Sequence, residues 1–214
     1  MAQLIEGLDA ARVRDNLERV RGEVADAGRD PADVELLAAV KYVPLEALGV
    51  LVEAGITVAG ENRAQDLERK AAAHPELTWD FIGHLQSRKV KQVLPHVRYV
   101  HSVATDSVLR ELRKHGPDTE VLVEVNVAGD ESKSGIAPRD LDDFIARCPA
   151  TVVGLMTMPP VAADPEDSRR WFAALAELAA ERGLRHLSMG TSQDYLVAVQ
   201  EGATIVRLGT TLYR

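Results

Sequence analysis

The residues able to do chemistry in this chain are a lysine, an arginine and two loops rich in glycine and hydroxyls. Residues 34–41 read VELLAAVK. This is an apolar strand on which Leu37, Ala39 and Lys41 share one face by two-residue alternation, so the run ends on an amine. A lysine at a strand end is ordinarily a surface residue that keeps its head in water. Behind LLAAV, and with Ala39 beneath it, Lys41 is expected in a low-dielectric site that disfavours the ammonium and frees an amine nucleophile. Arg207 lies near the end of the last apolar run, on the face of Ile205. It reads equally as a structural cation paired with Glu124 or as a ligand-binding group. Asn62, His84 and Ser102 follow or end other runs. Glu124 and Asn126 share a face opposite Val121, Val123, Val125 and Val127. Taken singly, His84 is more often a hydrogen-bonded structural histidine, and Asn62 and Asn126 satisfy nearby backbone groups.

The two loops are more specific. One reads Ser188-Met189-Gly190-Thr191-Ser192-Gln193-Asp194, the other Arg207-Leu208-Gly209-Thr210-Thr211. Glycine lets backbone approach an anion, hydroxyls donate hydrogen bonds, and a helix start adds partial positive charge. Each loop alone has a plain alternative: Ser192 as a helix cap, and Gly209-Thr210 as a turn. Together, with an amine across from them, they make a phosphate clamp. A phosphate clamp, an amine and an arginine are the parts needed for pyridoxal 5′-phosphate (PLP).

These groups need a scaffold that gathers strand ends. Val13, Leu17, Val20 and Val24 recur at helical spacing between Asp9, which can cap the start, and Gly28, which can end the helix. Strands follow at 34–41, 58–60, 79–82, 99–102, 121–127, 152–156, 186–188 and 204–208. Helices are expected at 44–54, 64–73, 87–94, 106–115, 139–146, 167–182 and 193–200, that at 106–115 being ended by Gly116 and Pro117. Strands that alternate with helices argue for parallel pairing and a closed (β/α)8 barrel of the triosephosphate-isomerase type, one domain over 1–214. No helix is expected after the last strand, and the extra N-terminal helix is expected to cover that gap. An open doubly wound sheet is the runner-up, but the G-x-G-x-x-G turn for a dinucleotide is missing. Barrel chemistry sits at the C-terminal strand ends, with phosphate after strands seven and eight.

Composition narrows the class. The chain has 214 residues, 46% hydrophobic and 27% charged, enough apolar content for a sizeable core. Asp plus Glu number 33 against 25 Lys plus Arg, a net charge of -8, which disfavours nucleic-acid binding. The lone Cys148 permits no internal disulfide and fits a reducing compartment. The uncharged stretch 148–163 is too short and too broken by Pro149, Pro159 and Pro160 to span a membrane. Glu6 stands where a secretory leader carries positive charge. The expectation is a soluble, cytoplasmic, monomeric protein. No Cys/His spacing for a metal and no G-x-S-x-G elbow occurs. The loop GDESKSGI from Gly129 and the basic run SRKVK from Ser87 read as solvated segments.

AVKYV around Lys41, GENRAQD from Gly60, FIGHLQSRK from Phe81, SKSGI from Ser132, LSMGTSQD from Leu187 and VRLGTTLY from Val206 resemble the YggS/PROSC family of PLP-binding homeostasis proteins. The resemblance runs over nearly the whole chain. Arg88 stands where asparagine is common in that family, and Thr191 where methionine is common. The resemblance implies a fold like the barrel domain of alanine racemase without its second domain. It implies that Lys41 forms a Schiff base with PLP and that Arg207 faces the pyridine nitrogen. Ser192, Gly209 and Thr210 would hold the phosphate, with Asn62 and His84 near the pocket. Apo-enzymes that use PLP are the implied acceptors.

An arginine opposite the pyridine nitrogen leaves the ring a weak electron sink. Racemisation needs a base on each face of the α-carbon. No tyrosine is expected at a strand end to serve as the second, since Tyr42 directly follows Lys41 and Tyr213 follows the last strand. Three readings result. The first is a PLP carrier without catalytic activity beyond reversible Schiff-base formation. The second is a weak PLP-dependent racemase. The third is a cofactor-free isomerase of sugar phosphates with Lys41 or Glu124 as base.

Overall fold

The computed structural model describes residues 4–116 and 118–214. Pro117, expected to help end a helix, and residues 1–3 of the N-terminal stretch read for a leader lie outside the described residues. The first element is helix α1, Ala10–Asp26. Asp9 caps it by accepting a 2.8 Å hydrogen bond from the Arg12 backbone N–H, which supplies a partner for one of the otherwise unpaired amides of the first turn. Gly28, at φ 85°, lets the chain turn away after it.

Eight parallel strands then close into a barrel in sequence order. They are β1 (Glu35–Ala39), β2 (Val58–Glu61), β3 (Thr78–Phe81), β4 (Tyr99–Val103), β5 (Glu120–Glu124), β6 (Thr151–Met156), β7 (His186–Thr191) and β8 (Ile205–Leu208). Closure comes from β1 pairing with β8, Leu37 opposite Arg207. The crossovers are α2 (Leu48–Glu53), α3 (Ala64–Ala73), α4 (Val90–Val93), α5 (Asp106–His115), α6 (Leu141–Arg147), α7 (Arg169–Glu181) and α8 (Tyr195–Gln200).

The alternation read from the sequence sorts the side chains as expected. Leu37, Val58, Tyr99, Leu122, Val153, Met156 and Ile205 pack together inside the barrel. Val121, Val123 and Val125 of the fifth strand join the larger core between sheet and helices. Each fully buried aliphatic side chain there contributes roughly 1.5–3 kcal/mol of transfer free energy.

Several boundaries differ from the sequence reading: the helices expected over 44–54, 139–146 and 167–182 begin as 3-10 turns, and β7 runs on to Thr191. The first strand ends at Ala39, so Lys41 sits in the turn beyond it. The fifth ends at Glu124; beyond it Val125 donates its N–H to the Met156 carbonyl at 2.8 Å and forms an isolated bridge to Ile136 as the chain leaves the sheet for the polar loop. The helix expected over 87–94 is a 3-10 turn, the short α4 and a second 3-10 turn that includes Pro95. Proline has no amide hydrogen to continue an α-helix, which accounts for the last break. A one-turn helix, α9 (Thr210–Tyr213), does follow the last strand, contrary to expectation. Helix α1 packs on α2, α8 and α9 and covers the seam as expected.

Candidate functional site

A cavity of about 670 Å³ opens at the C-terminal ends of the strands. The seven residues that the resemblance placed at the cofactor line it: Lys41, Asn62, His84, Ser192, Arg207, Gly209 and Thr210. Two glycines shape the rim. A Cβ on Gly83 would run into the backbone of Asn62, so the ends of β2 and β3 approach closely and present Asn62 and His84 side by side. Gly190 takes φ 89° where the β7–β8 register shifts, which carries the chain on to Thr191 and Ser192 at the cavity.

Lys41 corrects an expectation. Its side chain is exposed at the rim, not dry, because the strand stops two residues before it. The amine stacks 4.8 Å from the centre of the Tyr42 ring. The backbone beneath it is held firmly. Tyr213 donates its hydroxyl to the Ala39 carbonyl at 3.2 Å, and the buried Lys70 donates to the Val40 carbonyl at 2.7 Å. Lys70 also pairs with the fully buried Glu61 at 2.6 Å, whose other oxygen accepts from the backbone N–H groups of Asn62 and Arg63. One buried ion pair thus ties the turn carrying Lys41 to the turn carrying Asn62.

Arg207 is buried, with 6% of its surface exposed. It does not pair with Glu124, the structural alternative read from the sequence. Its Nη1 donates to the Ser188 carbonyl at 2.7 Å and Oγ at 2.5 Å, and its Nη2 donates to the Thr157 carbonyl at 2.9 Å. The Met158 sulfur lies 2.8 Å from Nη2. Among the described residues Nε has no acceptor. Burial pushes the guanidinium down to about 10, against the opposing pull of Asp194 and Glu124, so it stays a cation at neutral pH. Glu124 instead accepts from Ser134 of the polar loop at 2.5 Å.

The two hydroxyl-rich loops are joined through Ser192. Its Oγ accepts from the backbone N–H groups of Gly209 at 3.0 Å and Thr211 at 3.2 Å. Ser192 is therefore a bridge between loops and not a helix cap, and its hydroxyl proton is left to donate. Thr210 is exposed, with no partner for its hydroxyl among the described residues. Thr191 is fixed by Asp194, which accepts from its backbone N–H at 2.8 Å and its hydroxyl at 3.1 Å.

Ser102 reaches the cavity and donates to the Gly83 carbonyl. Asn126 does not line it; its amide donates to the Asp130 carbonyl at 2.8 Å and shapes its own loop. Tyr42 and Tyr213 do line it, although neither was expected to contribute. Burial pushes the Tyr213 phenol well up, so it remains protonated. Arg88 and Lys91 of the basic run are exposed and off the cavity, as expected of a solvated segment.

The residues fit a small aldehyde bearing a phosphate. The Oδ1 of Asn62 is buried with no hydrogen-bond partner, an acceptor waiting beside the cavity. Around it stand an amine, a guanidinium and free hydroxyls, the donor set that an anionic, carbonyl-bearing ring requires. Among the described residues no group of three or more His, Cys, Asp or Glu could hold a metal.

No protein-family model matches the chain. Curated relatives do. A pyridoxal phosphate homeostasis protein of Aquifex aeolicus is 40% identical over 92% of this chain and 93% of its own length. One of Pseudomonas aeruginosa is 41% identical over 91% and 90%. Among solved structures, PipY of Synechococcus elongatus, with PLP bound, superposes with a TM-score of 0.81 at 30% identity, covering 94% of this chain and all of that one. Alanine racemase of Clostridium difficile shares the fold, with a TM-score of 0.71 at 12% identity over 57% of that enzyme. At these levels of identity and coverage, the chain belongs to the family of pyridoxal phosphate homeostasis proteins.

Proposed function

We propose that this chain binds PLP in the cavity at the C-terminal mouth of its barrel, limits the free aldehyde in the cytoplasm and yields the cofactor to apo-enzymes. The observation that carries the reading is the convergence of Lys41, the buried Arg207 and the Ser192 bridge on one cavity. PLP supplies an aldehyde that a primary amine attacks reversibly, and a phosphate that hydroxyls and amides hold. Lys41 offers the amine from a turn clamped at Ala39 and Val40. Its exposure suits exchange, since an acceptor can approach the rim. Arg207, which lines the cavity with no acceptor on Nε among the described residues and remains a cation, would supply the charge beside the ring. Ser192 and Thr210 donate to the phosphate, and Gly209 keeps the backbone close. Asn62 accepts from a ring substituent, and His84 borders the opening. The homeostasis names of the relatives and the PLP in PipY support the same reading.

The site lacks the parts for turnover in this reading. Racemisation needs a second base opposite the lysine. Tyr42 shares the Lys41 turn, and the Tyr213 hydroxyl is committed to the Ala39 carbonyl and held protonated. Incubation with amino acids in deuterated water should leave their α-hydrogens unexchanged; steady exchange would replace the carrier reading with the racemase one.

The primary test is borohydride reduction of the protein after PLP addition, followed by peptide mapping. The label should fall on Lys41, and Lys41→Ala should lose both the label and the visible absorption of the lysine-bound cofactor. A label on another lysine, or a protein that ignores PLP, overturns the proposal.

A further inference from the structure

Beneath the cavity, a chain of buried polar groups crosses the barrel interior. Asp80 on β3, His101 on β4 and Ser188 on β7 are each fully buried. Seen from the cavity, Arg207 Nη1 meets Ser188 Oγ at 2.5 Å, Ser188 Oγ meets His101 Nδ1 at 2.8 Å, and His101 Nε2 meets Asp80 Oδ2 at 3.2 Å. Asp80 then pairs with Arg98 at 2.7 Å, and Arg98 forks onto Glu35 at 2.6 and 2.8 Å near the opposite mouth.

Donor counting gives this chain one direction. Arginine has donors alone, so Ser188 Oγ accepts from it. The serine proton then needs an acceptor, and His101 Nδ1 is the one within reach. With Nδ1 unprotonated, Nε2 carries the hydrogen and donates to the Asp80 carboxylate, which can only accept. The reverse tautomer would set a lone pair against that carboxylate and leave the serine proton without a partner. A doubly protonated ring would add a charge between two arginines. The groups facing His101 are Asp80, Tyr99, Ser188, Arg207 and Arg98. Burial, Arg207 and Arg98 push the imidazole down, and Asp80 alone opposes them. The ring is neutral and Asp80 ionised.

We infer that Asp80, His101 and Ser188 form a positioning relay that locks the Arg207 guanidinium under the ring end of the cofactor cavity; the statement about the cofactor rests on the PLP reading above. Among the described residues Arg207 has no carboxylate in hydrogen-bond contact. The relay carries part of the Asp80 charge to Ser188 Oγ, because each bond in such a chain polarises the next. It steadies a long, flexible cation without neutralising it, so Nε keeps its donor for the ring.

Two measurements test this. In the PLP-free protein with 15N-labelled histidine and arginine, His101 should show Nδ1 bare and Nε2 protonated at and above about pH 7. Arg207 should show separate Nη resonances, the mark of hindered rotation. Ser188→Ala should merge the Arg207 resonances, shift the absorption maximum of bound PLP and weaken PLP retention about tenfold, the loss of one bond to a charged group. A His101 ring protonated at Nδ1, or titrating in that range, overturns the relay. So does Ser188→Ala with unchanged Arg207 resonances. If the resonances behave as stated and PLP does not bind, the relay stands and the cofactor reading fails.

Discussion

Ser192 and Thr210 separate two things a hydroxyl can do at the same rim. Ser192 Oγ is the acceptor for two backbone amides, so Ser192→Ala should cost about 1–2 kcal/mol of stability and also weaken PLP binding about tenfold. Thr210 has no partner for its hydroxyl among the described residues, so Thr210→Val should weaken PLP binding to a similar degree and leave the unfolding midpoint in place. Urea denaturation beside fluorescence titration with PLP reads both. If Thr210→Val binds PLP as the parent does, its hydroxyl does not hold the phosphate. Lys41, Arg207 and these loops were legible in the sequence because each breaks an apolar run at the strand end where a barrel keeps its chemistry. Asp80 and His101 were missed because they lie within strands and not at their ends, and Ser188 was read as the start of a loop because β7 runs on to Thr191 instead of stopping there. The signal was there all the same. A charged or polar residue in the middle of a barrel strand faces either the packed core or the interior, and both demand a partner. The exposure of Lys41 was not legible, since it depends on where β1 releases its last hydrogen bond.

At the scale of elements, the turn after β1 and the turn after β2 act as one unit through Lys70 on α3. Lysine in the middle of a helix reads as a surface residue, and nothing in AQDLERKAAA marks it as buried until Glu61 is known to face it. Removing one member of such a pair strands a charge in the core. Lys70→Met should therefore destabilise the protein by about 3–5 kcal/mol, while the double change with Glu61→Gln should recover much of that loss. Chemical denaturation of the four proteins in the cycle measures it. A double variant that loses the sum of the two single losses would mean the pair contributes no coupling. The same single variant frees the Val40 carbonyl, so borohydride labelling of Lys41 at limiting PLP should slow. The order of strands and helices was readable from the alternation of apolar runs with helical periods. The ends of β5 and the 87–94 helix were not, because they are set by a loop that peels off and by the absence of an amide on Pro95.

Across the whole molecule, the two mouths of the barrel do different work. The C-terminal one is open and lined with donors, while Arg98, Glu35 and Asp80 form an ion-pair network near the N-terminal end. Between them the interior holds an apolar cluster and the buried imidazole of His101. That imidazole couples folding to pH. In the unfolded chain it takes up a proton near its ordinary value of about 6.5. Folded, burial pushes that event to lower pH. Below about 6.5 the unfolded state therefore binds more protons than the folded one, and stability falls as pH drops from there toward the folded value; above it the contribution is complete. His186, lowered by burial and by Arg185, acts in the same sense. Asp80, held down chiefly by its bond to His101 against the opposing cost of burial, keeps its contribution until well below its unfolded value of about 3.9. The expected result is a free energy of unfolding that declines between about pH 7 and pH 5, with a shallower decline in His101→Gln, which cannot take up the proton. Parallel slopes for parent and variant would mean that His101 takes up its proton at the same pH in the folded and the unfolded protein. A folded ring that charges that readily would donate from Nδ1 to Ser188 Oγ, which removes the acceptor assigned to the serine proton and with it the direction of the relay beneath Arg207.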